Sequence, residues 1–275
     1  MAVNLSKNYN KAVDQVYTLN SLTKAAFGQK YEFIGAKTAV VYTMTSQALA
    51  DYTRTGANRY GAPAELQDTI NEYAISKDRA FSITVDKGNA IQQSIDKTAG
   101  KVIKMEMTEQ LFPEQDTYNL TVLAAAALAE TQVATAAITA SNAYEKLLDG
   151  AVAQDNAKVP RKGRIAFVSP SFYKFIKLDA SFVKASDLAM KTLITGQVGE
   201  VDGIKIVMVP TSYLPANTAF LLFHPEAGVA PMQLETVKTH VDPPGINGIL
   251  VEGRFIYDAF VSVPKRKAAY QHKIA

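Results

Sequence analysis

The residue types that most often carry chemistry are sparse in this chain and are not grouped. The three histidines, His224, His240 and His272, lack a second ligand at the i+4 spacing of a helical metal site. There is no cysteine, which excludes a thiolate nucleophile, a disulfide and a Cys-ligated metal. We therefore interpret the histidines as structural or surface residues.

Motifs that could hold a substrate or cofactor fail on spacing or context. The cluster Gly196-x-x-Gly199-x-x-x-Gly203 precedes a strand pattern, whereas a dinucleotide fingerprint opens a helix. Neither a Walker A sequence nor a Gly-x-Ser-x-Gly elbow is present. The carboxylates Glu114 and Asp116 fit the first turn of a helix. The sequence predicts no catalytic, metal or cofactor site.

Composition places the chain among ordinary globular proteins. It has 275 residues, 48% of them hydrophobic, and a net charge of +3, which is too weak to indicate a nucleic-acid-binding protein. No apolar run approaches the roughly 18 residues of a membrane span, and the N-terminal residues lack a signal-peptide core. The absence of cysteine favours synthesis in a reducing cytoplasm.

Residues 70–86 form the most regular pattern in the sequence. Apolar or long side chains occupy the odd positions from Tyr73 to Val85, and small or polar ones occupy the even positions. A period of two predicts an extended strand, here longer than the usual 3 to 10 residues. With residues 36–46 as its partner and a glycine-bearing tip at 51–65, it predicts a long two-armed β-ribbon over 36–88. Such a ribbon needs stabilisation from outside its own domain.

The rest of the chain alternates between helical and strand patterns. A polar N-terminal arm carries scattered apolar anchors such as Leu22 and Phe27. A strong helix over 114–130 begins after Pro113, with one long helix kinked at Pro113 as the alternative. An α/β segment follows, with a helix whose Asn142 and Glu145 have the spacing of a capping box. The predicted strands here are 164–168, 204–209, 219–223, 234–242 and 249–263.

This order of elements resembles the major capsid proteins of tailed bacteriophages, which have the Hong Kong 97-type fold. The resemblance covers essentially the whole chain and rests on the order and spacing of local segments. The segments that carry it are 51–61, 81–89, 112–118, 167–173, 199–206 and 251–260. It implies an α+β fold with an N-terminal arm, an extended β-ribbon (the E-loop), a P domain with a long spine helix, and an A domain.

The resemblance also implies boundaries for these parts. The expected segments are an N-terminal arm at 1–35, a strand with the E-loop ribbon at 36–89, and a P domain with the spine helix at 90–130. An A domain at 131–234 follows, and then P-domain return strands with a basic tail at 235–275. Only about 35 residues precede the first strand, so the N-terminal scaffolding domain of the family's type member is not expected. A separate scaffolding protein, or none, is the resulting expectation.

The function implied is a non-enzymatic shell protein of the virion. Hundreds of copies would form the hexamers and pentamers of an icosahedral or prolate tailed-phage head, assembled in the bacterial cytoplasm around dsDNA. The expected partners are other copies, a scaffolding protein, a portal, a possible decoration protein and non-specifically bound dsDNA, without a membrane or cofactor. An encapsulin nanocompartment is the main alternative; an α/β enzyme and a tail-tube or decoration protein are less favoured.

Residues on the ribbon are the expected inter-subunit contacts. These are Arg54, Arg59, Tyr60, Tyr73, Lys77, Asp78, Arg79 and Phe81. The face with Tyr73, Lys77, Arg79 and Phe81 is expected to contact protein, and the face with Ser76, Asp78 and Ser82 to meet solvent. The tail over 264–275 carries four cations and no acid, which fits either a solvated tail or a basic lining that faces DNA through Lys265, Arg266 and Lys267.

Overall fold

A computed structural model describes residues 21–23, 26–27, 38–44, 46, 48–63, 65–66, 68–87, 99–180 and 199–275. The chain divides into two units. The smaller unit is Phe33–Ile75, and the larger unit comprises Met1–Glu32 and Ser76–Ala275.

The smaller unit is a β-hairpin. Strand β1 (Thr38–Met44) pairs antiparallel with β2 (Asp68–Ala74) over their full lengths, with Thr38 opposite Ala74 and Met44 opposite Asp68. Between the strands, the described residues include bends at 54–57 and a turn at 59–60. The predicted ribbon therefore exists, but its paired arms are seven residues long and do not extend to residue 88.

The larger unit contains four helices and eleven strands in the part of the chain that the structure describes. The helical segments are α1 (Ala99–Glu106), a π-helical turn (Met107–Leu111), α2 (Phe112–Ala129), α3 (Ala143–Asn156) and α4 (Pro170–Leu178), with 3₁₀ turns at Thr211–Tyr213, Pro225–Ala227 and Val263–Ala268. The strands are β3 (Lys77–Asp86), β4 (Val133–Thr135), β5 (Ile165–Val168), β6 (Glu200–Val201), β7 (Ile204–Met208), β8 (Thr218–Phe223), β9 (Gly228–Val229), β10 (Met232–Val241), β11 (Gly248–Tyr257), β12 (Phe260–Val261) and β13 (Tyr270–Lys273).

These strands form three sheets. The largest has six strands in the order β4-β13-β8-β5-β7-β6, with parallel pairs β4–β13 and β5–β7 and antiparallel pairs elsewhere. A second sheet is fully antiparallel in the order β10-β11-β3. The short strands β9 and β12 form the third.

The six-stranded sheet is buried on both faces. Phe167 and Phe223 lie in one core cluster with Leu120 and Leu123 of α2. Alternate residues of the same strands, such as Val168 and Phe220, lie in a second cluster with residues of α3 and α4. Burial on both faces explains why β5 and β8 are apolar at every position instead of alternating.

The prediction of one strand over 70–86 is wrong. The chain forms β2 and β3, separated by Ile75 and Ser76, and the two strands have different partners: β2 pairs with β1, whereas β3 pairs with β11. The alternation runs through both strands because each keeps the period of two. In β3, Phe81, Ile83 and Val85 are half-buried, whereas the even residues from 78 to 84 are exposed.

The helix around Pro113 is closer to the kinked alternative than to a helix that begins there. Residues 99–129 are helical without a break, and a π-helical turn ends at Leu111, two residues before the proline. The Phe112 amide donates to the Met107 carbonyl, five residues back. Because Pro113 has no N–H to continue the usual pattern, the wider turn lies where an α-helical hydrogen bond is lost.

The starts of α3 and α4 are stabilised in different ways. The Ser169 side chain accepts a hydrogen bond from the Phe172 amide and caps α4. The capping box of α3 does not form, because Asn142 Oδ1 accepts from the Thr139 amide. The first turn of α3 is satisfied instead by Asp179, whose carboxylate accepts from the Tyr144 amide at 3.0 Å.

The C-terminal segment is a strand of the six-stranded sheet, not a solvated tail. Strand β13 lies between β4 and β8, and Tyr270, Gln271 and His272 are buried. Only the 3₁₀ turn at Val263–Ala268 carries the exposed cations of this region. The predicted return strand over 249–263 ends at Tyr257.

The described part of the N-terminal arm is fastened to α2. The buried Asp116 carboxylate accepts hydrogen bonds from the hydroxyls of Ser21 and Thr23 and from the amides of Leu22 and Thr23. Phe27 packs on Phe223, with 5.5 Å between ring centroids. Leu22 and Phe27 are thus confirmed as anchors; the arm's other predicted anchors lie outside the described residues.

Buried His272 predicts acid sensitivity of the fold. Burial lowers its pKa below the usual value of 6.5; the nearby Lys146 acts in the same direction, while the Ala136 backbone and Asp149 act against it. As the pH falls through this usual pKa, the unfolded chain binds a proton at His272 that the folded chain does not bind. The free energy of unfolding therefore decreases as the pH falls. For one site the slope is at most about 1.4 kcal/mol per pH unit. Denaturant unfolding of the subunit between pH 5 and 8 measures it.

The variant His272→Phe keeps the ring that stacks on Phe220 and should flatten this slope. The control His240→Gln removes a half-exposed histidine, so a flatter slope in His272→Phe alone assigns the effect to the buried site. An unchanged slope in His272→Phe would assign the acid sensitivity to other groups.

Candidate assembly surfaces

The tip of the hairpin has a defined backbone. Gly56, Asn58 and Gly61 have positive φ values of 89°, 56° and 90°, a region that favours glycine and asparagine. The Thr53 amide donates to the Arg59 carbonyl, and the Gly61 amide donates to the Asn58 carbonyl. A methyl group at Gly61 would come 2.7 Å from the Ala50 Cβ, so only glycine fits at this position without a shift of the backbone.

Side chains at this tip are presented to solvent. Tyr52 and Tyr60 meet edge to face with 5.1 Å between ring centroids, and both are exposed. Arg54 and Arg59 are exposed as well, and Arg59 Nε donates to the Gly56 carbonyl at 3.3 Å. Of the predicted contact residues, the structure therefore brings together Arg54, Arg59 and Tyr60, while Tyr73 lies on β2 opposite Ala39.

Large apolar side chains are exposed in the described part of the hairpin. Six of the fourteen exposed large apolar residues in the described part of the chain lie in this unit, although the unit spans only residues 33–75. They are Met44, Leu49, Tyr52, Tyr60, Leu66 and Ile70, and Leu49 is fully exposed. Exposed apolar residues concentrated in one element mark a surface that another molecule covers.

The predicted contact residues on β3 have partners within their own chain. Asp78 accepts two hydrogen bonds from the Arg254 guanidinium, which lowers the pKa of its carboxyl. Arg79 pairs with Glu114 at 2.8 Å, which raises the pKa of the guanidinium. Both pairs are exposed, so they remain accessible at the surface while holding β3 to β11 and α2.

Lys77 and Phe81 also face their own domain. The Lys77 ammonium lies 4.7 Å from the centroid of the Tyr118 ring. Phe81 stacks on Phe255 and covers Gly253, where a Cβ would lie 2.3 Å from its ring. Ser76, Asp78 and Ser82 are exposed, as the alternation predicts, and Ser76 and Asp78 also bind Asp258 and Arg254 of their own domain.

Asp258 fixes the start of β3. Its carboxylate is buried and accepts from the Ser76 amide at 2.7 Å and the Ser76 hydroxyl at 2.9 Å on one oxygen. The other oxygen accepts from the Tyr118 hydroxyl and the Ala259 amide, both at 2.7 Å. Four donors satisfy both oxygens of a buried carboxylate and bind β3, α2 and the end of β11 together. Sequence reasoning missed Asp258 because its partners are remote along the chain.

The 3₁₀ turn before β13 contains the predicted DNA-facing residues Lys265, Arg266 and Lys267. Lys265 and Lys267 are exposed, and Arg266 is half-buried.

The described residues contain no cluster of histidines and carboxylates that could hold a metal ion. Among the helices that the structure describes, none is both long and apolar enough to cross a membrane. The geometry thus provides surfaces for association and offers no catalytic constellation in this part of the chain.

Comparison with known proteins identifies the family. A family model described as phage capsid protein matches residues 72–271, which is most of the chain. The chain belongs to the phage capsid protein family. It is a capsid shell protein of the virion, with a structural role and not an enzymatic one. A search of the curated proteins found no match to the sequence.

Solved structures share the fold of this capsid protein at low sequence identity. One from Mycobacterium phage Che8 has a TM-score of 0.73 and 17% identity, covering 98% of this chain and 97% of the other. The capsid structure of the cyanophage P-SCSP1u has a TM-score of 0.79 and 12% identity, covering 99% and 93%. The mature capsid of bacteriophage PhiM1 has a TM-score of 0.74 and 15% identity, covering 98% and 92%. The capsid protein thus has the mixed α/β fold of these shells along almost its whole length.

Replacing Asp258 with asparagine should loosen the start of β3 in the capsid protein. In asparagine an NH₂ group replaces one carboxylate oxygen and faces donors whose hydrogen bonds that oxygen accepted. We therefore expect a loss of about 1–3 kcal/mol in the free energy of unfolding. Hydrogen exchange at the Ser76 amide should accelerate. The control Asp242→Asn removes a half-exposed ion pair with Lys87 and should have a much smaller effect. Equal effects of the two substitutions would contradict a special role for Asp258.

Proposed function

We propose that this chain builds the closed head shell of a tailed phage, with hundreds of copies arranged as hexamers and pentamers around dsDNA. In this proposal the hairpin of residues 33–75 is the E-loop and lies on a neighbouring copy. Helix α1, the π-helical turn and α2 form the spine helix, and the sheet β10-β11-β3 belongs to the P domain. The six-stranded sheet with α3 and α4 is the A domain.

The exposed apolar surface of the hairpin is the observation that carries this proposal. A two-stranded hairpin is marginally stable in water by itself. A neighbouring copy that covers Leu49, Leu66 and Ile70 would bury apolar area worth roughly 25 cal/mol per Å² before the costs of ordering. Because each copy both offers and receives a hairpin, the contact is heterologous and can close into rings.

The family resemblance extends the proposal to further partners. A head shell of this type is assembled in the host cytoplasm with a portal, with a separate scaffolding protein or none, and in some cases with a decoration protein. The predicted contacts Tyr73, Lys77, Asp78, Arg79 and Phe81 stay predictions. The intrachain pairs of Asp78 and Arg79 are exposed, so a neighbouring copy can add to them without breaking them.

Replacing Leu49 with aspartate should block shell assembly without unfolding the subunit. The side chain is fully exposed in the single chain, so its loss costs little there, whereas a charge in the proposed contact would be buried without a partner. We expect normal circular dichroism and a particle yield lowered at least tenfold, measured by negative-stain microscopy and light scattering. The control Leu178→Asp changes an exposed apolar residue on α4. Normal particles from Leu49→Asp would contradict the proposed role of the hairpin.

Charge reversal at the tip should also impair assembly. Arg54 and Arg59 are exposed in the single chain, and we expect them to meet carboxylates of a neighbouring copy. Arg54→Glu and Arg59→Glu should each leave the subunit folded and lower the particle yield, whereas Arg54→Lys and Arg59→Lys should retain most of it. High salt should weaken assembly of the unmodified protein through the same ion pairs. Normal yields from both reversals would show that the tip arginines do not set the contact.

A further inference from the structure

Three loops of the larger unit come together at one end of the six-stranded sheet and carry an excess of positive charge. They are the end of α3 with the loop that follows it (residues 154–164), the loop with the first 3₁₀ turn after β8 (224–227), and the turn before β13 (262–268). We refer to their cationic side chains as the basic patch. Its members are Lys158, Arg161, Lys162, Lys265, Arg266 and Lys267.

Hydrogen bonds fix the three loops to one another. His224 Nε2 lies 3.0 Å from the Lys162 carbonyl, which joins the first loop to the second. The Ser262 amide donates to the Ala227 carbonyl at 2.8 Å, which joins the second loop to the third. Buried Gln154 at the end of α3 donates to the Ala268 carbonyl at 2.7 Å, which joins the third loop back to the first. The arrangement is therefore a closed ring of contacts, not three independent loops.

A buried arginine holds the first loop in shape. The Arg164 guanidinium is 2% exposed and donates to the carbonyls of Ala151, Val159 and Pro160 and to Asp155. Asp155 also pairs with Arg161, and both arginines lower the pKa of its carboxyl. The cations of this loop are presented from a rigid backbone, so little conformational entropy is lost when they meet an anion.

The charge of these loops is unusual for this chain. Seven cations, the six of the basic patch and Arg164, stand against two carboxylates, Asp155 and Glu226, which leaves a net charge of +5. The whole chain has a net charge of only +3, so the remainder is slightly negative. Positive charge is thus concentrated here, although the composition as a whole does not indicate a nucleic-acid-binding protein.

From this geometry we propose that the basic patch binds the phosphate backbone of double-stranded DNA without regard to sequence. The proposal rests on the head-shell function, and it places this end of the sheet toward the packaged genome. Lys158 and Lys162 extend the surface beyond Lys265, Arg266 and Lys267, which the sequence alone suggested. Binding is weak for each copy and becomes substantial through repetition over the shell.

The composition of the patch favours DNA over an acidic protein, and duplex over single strands. Residues 158–163 and 262–268 contain no aromatic residue, and Val263 is the large apolar side chain exposed among them. Protein interfaces rely on aromatic and apolar anchors, and single-strand binders stack bases on aromatic rings. Cations without such anchors are typical of contacts to the duplex backbone.

Binding of the full-length unassembled subunit to a short mixed-sequence duplex tests the proposal. Fluorescence anisotropy between about 50 and 200 mM NaCl gives the affinity and its salt dependence. The variant Lys158→Glu/Lys162→Glu/Lys267→Glu should bind at least tenfold more weakly at the lower salt concentration. Each lost phosphate contact lowers the slope of log K against log[salt] by about 0.9, so the slope should fall by about 3.

A matched variant distinguishes the effect of the basic patch on DNA binding from the effect of net charge. Lys104→Glu/Lys174→Glu/Lys238→Glu makes the same change in net charge at exposed lysines of α1, α4 and β10, and should bind nearly as the unmodified chain does. Equal weakening in both triple variants, or no binding by the unmodified chain at low salt, overturns the proposal. If the glutamate variant does not fold, the corresponding glutamine variant with a smaller charge change replaces it.

Two further binding measurements distinguish duplex DNA from an acidic protein and from single-stranded DNA. Patch-dependent binding of polyglutamate but not of duplex would overturn the proposal in favour of an acidic protein partner. Binding of single strands tighter than duplex would contradict the absence of stacking residues. Shell formation by the same variants is scored by microscopy. Normal shells together with failed DNA binding reject the basic patch alone, whereas absence of shells from the unmodified protein rejects the head-shell function.

Discussion

The packing of α2 against one face of the six-stranded sheet is the interaction on which most of the structure depends. Leu120 and Leu123 are buried with Phe167 and Phe223, and the alanines that follow allow the helix to approach the strands closely. The same helix carries Asp116, which binds the N-terminal arm, and Tyr118, which binds Asp258. The arm, the six-stranded sheet and the start of β3 are therefore all positioned by one helix, and a displacement of α2 would alter all of them together.

Features set by neighbouring residues could be predicted from the sequence. Strands β5 and β8 and the cap at Ser169 follow from short apolar runs and from the Ser-Pro start of α4. Features set by distant residues could not be predicted. The break between β2 and β3 depends on hydrogen bonds between Ser76 and Asp258, which are 182 residues apart. The alternating pattern is the same on both sides of this break, so periodicity alone indicates one strand.

The assembly surfaces show the same division. The hairpin and its glycine-bearing tip could be predicted because alternation and turn residues are local signals. The partners of Asp78 and Arg79 could not, since Arg254 and Glu114 come from other elements. The basic patch was seen only in part, because His224 and Gln154 bring together loops that are far apart along the chain. In each case the missing information was a polar side chain that accepts or donates a hydrogen bond between elements that are distant in sequence.

The position of β13 has a consequence for the order in which the protein can fold. This strand is the last of the sheet in sequence and the second in its spatial order, between β4 and β8. During vectorial synthesis the other strands emerge first, and their sheet retains an unfilled position until residues 270–273 follow. Completion of the sheet is thereby coupled to completion of this part of the chain. A prematurely terminated chain would keep open strand edges, which distinguishes it from a finished subunit before any shell forms.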